Sequence, residues 1–140
     1  MKRQWGVWGL AAVFVGAGAL HLLRPSVFDS IVPRWVAPGV FPSARSVTLL
    51  SGVAELAGGL GLLFPRSRRA AGWGLAALLV AVFPANVEMA RTPERFGLPA
   101  WVLWVRLPLQ PLLVWWALWA GQGGWRQGAG RVSRGRSGPA

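Results

Sequence analysis

The chain has no cysteine and a single histidine. The first absence excludes a disulfide framework, a thiolate metal site and a catalytic thiol; the second excludes a multi-histidine metal site or a bis-histidine haem within one chain. Charge is also scarce. Of 140 residues 14% are Asp, Glu, Lys or Arg, only four of them acidic, against 54% hydrophobic. That length holds one domain and leaves no room for a second, catalytic one. A formal net charge of +11 ordinarily suggests nucleic acid, but a mean hydropathy of +0.43 and ten Trp place the apolar residues in runs too long for a small soluble core. The composition predicts an integral membrane protein. No glycine-rich phosphate cradle stands between a strand and a helix, so nucleotide binding has no support.

Residues 4–23 are twenty uncharged positions, enough at the helical rise to cross a hydrocarbon core of about 30 Å. Residues 46–65 form a second such run with Glu55 as its only charge, residues 70–90 a third with Glu88 near its end, and residues 99–121 a fourth that carries only Arg106. The expectation is an all-α, integral membrane four-helix bundle over residues 1–122. The remaining residues, 123–140, are rich in Gly and Arg with almost no apolar side chain, and are expected to be a disordered basic tail. A nucleic-acid role for that tail would need interleaved aromatics, and only Trp125 is there; contact with anionic lipid accounts for the same residues. Met1, Lys2 and Arg3 before an apolar run resemble a signal peptide with the small residues 16–19 as a cleavage region. The run is long for that purpose, so a retained span is expected.

Basic residues set the direction of insertion. Nine of fifteen, namely Lys2, Arg3, Arg66, Arg68, Arg69, Arg126, Arg131, Arg134 and Arg136, share one side if the termini lie together. Both termini are therefore expected to be cytoplasmic. Arg24, Arg34, Arg45, Arg91 and Arg95 fall on the other side, diluted by Asp29 and Glu94. Trp5, Trp8, Trp73, Trp119 and Trp125 near one boundary, with Trp35 and Trp101 near the other, suit rings at headgroup level. The connection 24–45 is the longest, and Pro25, Pro33, Pro38 and Pro42 exclude one long helix there; a short surface helix fits near residues 26–31.

An ionisable group inside a span costs several kcal/mol unless it is paired or hydrated. Glu55 lies about 13 Å and Arg106 about 10 Å below the outer boundary at the helical rise, and this match in depth predicts an ion pair between them. Ser51 stands one turn above Glu55, Gln110 one turn below Arg106, and Asn86 and His21 near the outer ends of their spans. Together His21, Ser51, Glu55, Asn86, Arg106 and Gln110 are expected to line a polar cavity opening outward, which is more economical than six separate polar groups facing lipid. The competing reading is that the charged pair only fixes helix register and binds nothing. Pro84 deprives the Val80 carbonyl of its donor, and Pro108 and Pro111 act likewise in the fourth span. Gly52, Gly58, Gly59 and Gly61, and Gly6, Gly9 and Gly16, suit close helix packing.

Three stretches, GALHLLRPSVFDSIVP, SGVAELAGGLGLLFPRSRRAAGWGLAALLVAVFPANVEMA and LWVRLPLQPLLVWWA, resemble the DoxX family over about three quarters of the chain. The SGxxExxGGxGLL, PAN and RLPLQ elements carry the likeness. His21, Glu55, Asn86, Arg106 and Gln110 fall on that family's recurrent polar positions, while Glu88 after PAN and Leu22, where Phe is common, depart from its pattern. The resemblance implies a multi-pass protein of the bacterial inner (plasma) membrane, grouped with redox-associated proteins and named for similarity to a thiosulfate:quinone oxidoreductase subunit; for most members no activity is assigned. The leading expectation is a membrane-embedded redox accessory that binds a quinone or a similar lipophilic molecule, with Arg106 and His21 contacting its oxygens and Glu55 relaying or balancing charge, beside an oxidoreductase partner subunit and membrane lipids and with a homo-oligomer left open. No cofactor motif is evident, no metal is expected, and catalysis by the chain itself stays open. A small-solute transporter or binding protein, and a structural subunit without ligand, are the alternatives.

Overall fold

A computed structural model describes residues 2–96 and 99–122, and among these every regular element is helical. The elements are α1 (Lys2–Leu23), α2 (Pro25–Asp29), α3 (Ala44–Leu63), α4 (Arg68–Arg91), a 3-10 turn (Pro93–Arg95) and α5 (Ala100–Gly121). The basic tail, with Trp125 and the last four arginines, lies outside the described residues. Helices α1, α3, α4 and α5 are each long and apolar enough to cross a membrane. They alternate in direction, so the start of α1, the end of α5 and the α3–α4 turn share one end of the bundle, here called proximal. The long connection and the α4–α5 link share the distal end.

Local chemistry sets the helix limits. The Ser43 hydroxyl accepts from the Ser46 backbone N–H at 3.2 Å and starts α3 two residues before the uncharged run. Pro65 holds Phe64 extended and ends it. Arg68 and Arg69 belong to the first turn of α4 and Arg91 to its last, since a helix can extend past its apolar run when its end residues are charged and reach away from it. Two arginines close helix C-termini at the proximal end: Arg68 Nε donates to the Leu62 carbonyl at 2.7 Å, and Arg3 Nη2 to the Trp119 carbonyl at 3.0 Å. Each places positive charge where the helix dipole is negative. The expected short surface helix is α2, one turn with Pro25 in its first positions. Its Asp29 accepts from Arg45 at 2.7 Å, tying the long connection to the start of α3.

Packing is pairwise. Helix α1 lies along α3 and α4 along α5, α3 joins the two pairs through α4, and the α1–α5 seam is much sparser. Glycine permits the close pairs, as it does wherever dispersion between surfaces replaces hydrophobic expulsion. A Cβ on Gly18 would stand 2.6 Å from the Gly52 carbonyl oxygen, and one on Gly72 2.7 Å from that of Ala117. The interior is uneven. Val7, Leu10, Ala11, Phe14, Leu62, Leu75, Ala76, Leu79, Ala117 and Ala120 fill the proximal half, while Met89, Ala90 and Leu103 make a small distal cluster with Ile31, Phe96 and Leu107. Between them the bundle is hollow.

Candidate ligand cavity

The hollow is a cavity of about 450 Å³ whose wall includes all six polar residues singled out by the sequence: His21 from α1, Ser51 and Glu55 from α3, Asn86 from α4, and Arg106 and Gln110 from α5. Most of the remaining wall is apolar, from Val13, Phe14, Ala17 and Val47 to Leu79, Val82, Ala85 and Leu113. Val13 and Leu109 line it although they are 52% and 46% exposed, so it lies next to the outside where α1 and α5 touch least. At the distal end Phe28, Ile31, Val32, Pro33 and Trp35 of α2 and the following turn complete the wall. The polar funnel opening outward that the sequence suggested is therefore an apolar-walled chamber with a roof. The roof escaped the sequence reading because its residues are scattered among prolines with no helical period.

The Glu55–Arg106 pair does not form. Helices α3 and α5 stand diagonally across the bundle with α1 and α4 between them, and equal depth cannot bring side chains together across that diagonal. Glu55 instead meets its α1 neighbour: its Oε2 lies 2.9 Å from His21 Nδ1. Gly52, one turn earlier on α3, makes room, since a Cβ there would stand 2.7 Å from His21 Cβ. The His21 ring is further fixed by Phe28, stacked on it at 3.8 Å between centroids, and by the Ala17 carbonyl, 2.9 Å from Nδ1. Nδ1 thus lies within hydrogen-bond reach of both the Ala17 carbonyl and the buried Glu55 Oε2, so that the ring joins α1 to α3 in the cavity wall.

Arg106 turns to α4, donating from Nη2 to Asn86 Oδ1 at 3.3 Å. Asn86 Nδ2 donates to Gln110 Oε1 at 2.7 Å, and Gln110 Nε2 donates to the Leu79 carbonyl at 2.6 Å. This chain satisfies the buried Gln110 and fastens α5 to α4 at mid-depth. The carbonyl it reaches is Leu79's, one residue from the Val80 carbonyl that Pro84 leaves without its usual donor. Ser51 donates to the Thr48 carbonyl of its own helix at 3.0 Å. Glu88, anomalous in the sequence pattern, lies 3.8 Å from Arg95 of the 3-10 turn, a distal surface pair away from the cavity.

Thr48 was missed by the sequence reading. It is 2% exposed, lines the cavity two turns before Glu55 on α3, and its Oγ1 has no hydrogen-bond partner. A threonine within an apolar run carries no sequence signal, because its hydroxyl commonly bonds back to its own helix.

No curated protein and no solved structure matches the chain. One family model does, described as "Domain of unknown function (DUF8561)", over residues 10–121. That stretch holds every residue of the cavity wall, and the chain belongs to the DUF8561 family.

Proposed function

We propose that the chain is a small multi-pass protein of a bacterial inner membrane that binds a quinone or a similar lipophilic molecule in the distal cavity, as an accessory to an oxidoreductase partner. The observation that carries this reading is the chamber itself: apolar walls, a few convergent polar groups at one level, and a side that lies next to the outside where α1 and α5 touch least. Such a wall suits a flat apolar ring with oxygens at its edge, and entry at that side suits a molecule already dissolved in lipid. An apolar roof disfavours a polar solute arriving from water, and so the transporter alternative. The resemblance to the DoxX family supplies the redox association. With no cysteine in the chain, electrons would remain on the ligand or pass to the partner subunit. Asn86 and Gln110, whose hydrogen bonds are largely spent on each other and on Leu79, serve the bundle; His21, Glu55, Thr48 and Arg106 face the ligand.

The binding test uses the protein in lipid nanodiscs and a short-chain benzoquinone with its quinol as probes. Trp35 lines the cavity, so a bound quinone should quench its fluorescence saturably, with the signal reduced in Trp35→Phe. Purely linear quenching by both forms, as from probe dissolved in lipid, would contradict ligand binding. Cytoplasmic termini follow from the basic residues of the proximal end, and the absence of native cysteine makes their test clean. In intact cells stripped of the outer membrane, an impermeant maleimide is expected to label Ser26→Cys in α2 and spare Gln122→Cys after α5. The opposite pattern would invert the topology.

A further inference from the structure

One charge on the cavity wall has no counter-charge. The chain has four acidic residues, and all of them lie within the described part. Asp29 is held by Arg45, Glu88 lies beside Arg95, Glu55 beside His21, and Glu94 belongs to the distal 3-10 turn. Among the described residues no carboxylate comes within ion-pair distance of Arg106. Its guanidinium, with five N–H donors, gives one of them to a neutral amide, Asn86 Oδ1, at 3.3 Å, longer than most such bonds. Arg106 stands about 10 Å into its span at the helical rise, where an ionised group is costly unless something pairs with it. Its side chain is nevertheless accessible and lines the cavity, so a molecule inside can reach it.

Resting on the reading of the cavity as a quinone-class site, we infer that its ligand carries a negative charge, an ionised ring oxygen that pairs with Arg106. The guanidinium fork can hold two oxygens of such a ring at once, and a charged acceptor strengthens each bond. A neutral quinone carbonyl would leave the arginine without a counter-charge. The chamber also orients the anion. Glu55, the one carboxylate on the wall, stands with His21 on the far side of the α3–α5 diagonal, so the charged edge of the ring turns to α5 and its apolar body to the remaining walls. Asn86, held in turn by Gln110, fixes the guanidinium from the α4 side.

The test compares 2-hydroxy-1,4-naphthoquinone, whose hydroxyl is ionised at neutral pH, with its neutral 2-methoxy ether. Titration calorimetry follows both on the full chain in phosphatidylcholine nanodiscs, with empty nanodiscs subtracted. The ionised probe is expected to bind at least about tenfold tighter, the scale of a hydrogen bond between charged groups. Arg106→Gln should bring the ratio close to one by weakening the ionised probe, and Arg106→Lys, which keeps the charge without the fork, should retain part of the preference. Equal binding of the two probes to the wild type, tighter binding of the ether, or a preference that survives Arg106→Gln would overturn the inference and leave quinone-class binding standing. Failure of both probes to bind the wild type would overturn the cavity reading itself.

Discussion

Gly18→Leu is expected to leave little folded protein, whereas Gly16→Leu, two residues away on the same helix, should be tolerated. The sequence presents two glycines in one apolar run. The structure separates them: a Cβ on Gly16 meets nothing within 4 Å, while one on Gly18 stands 2.6 Å from the Gly52 carbonyl and 2.9 Å from the Leu56 backbone nitrogen. Backbone cannot rotate aside as a side chain can, so α1 and α3 would have to part along their main contact. Overpacking of this kind costs about 3 kcal/mol at the upper end of its usual range, and separation would also carry His21 away from Glu55. At Gly16 the larger residue gains helix propensity of up to about 1 kcal/mol. Thermal unfolding in detergent, read as loss of the monodisperse species, distinguishes the two. Similar midpoints for both variants would mean that α1 and α3 do not pack through Gly18 and Gly52.

Filling the cavity should abolish ligand binding at little cost to the bundle. Ala17 on α1 and Ala85 on α4 line the chamber from opposite walls, and a phenyl ring at either position enters empty space instead of packed side chains. Ala17→Phe and Ala85→Phe are each expected to weaken benzoquinol binding about a hundredfold or more, equivalent to about 3 kcal/mol, with unfolding midpoints within a few degrees of the wild type. Unchanged affinity in both variants would place the ligand elsewhere. Lost affinity together with a collapsed midpoint in both would mean that the space is already filled by side chains in the native bundle.

The four long helices were legible because crossing a bilayer imposes a length and a composition that few other structures require. Their limits were less so. A search for uncharged runs finds the lipid-soluble stretch, and so begins α3 at Ser46 instead of Ala44 and omits Arg68, Arg69 and Arg91 from α4. The six polar residues proved to share one cavity because depth along a helix follows from residue number alone. Which of them touch depends on azimuth and on the order of helices around the bundle, neither of which a single sequence fixes. Hence Glu55 was assigned to Arg106, and His21, brought near by the glycine contact between α1 and α3, was left to the side. The roof over the cavity and the unpartnered Thr48 hydroxyl were invisible for a related reason: both are made by tertiary packing of segments without periodic signal.

Native mass spectrometry of the chain extracted gently from its own membrane, with identification of bound small molecules, tests most directly whether the distal cavity is a ligand site. The wild type should carry a quinone-class or similar lipophilic molecule that is missing from Ala85→Phe, while other bound lipids remain the same in both. An empty wild type, or an identical set of small molecules on both proteins, would contradict it and leave the polar layer as internal bracing of the helices.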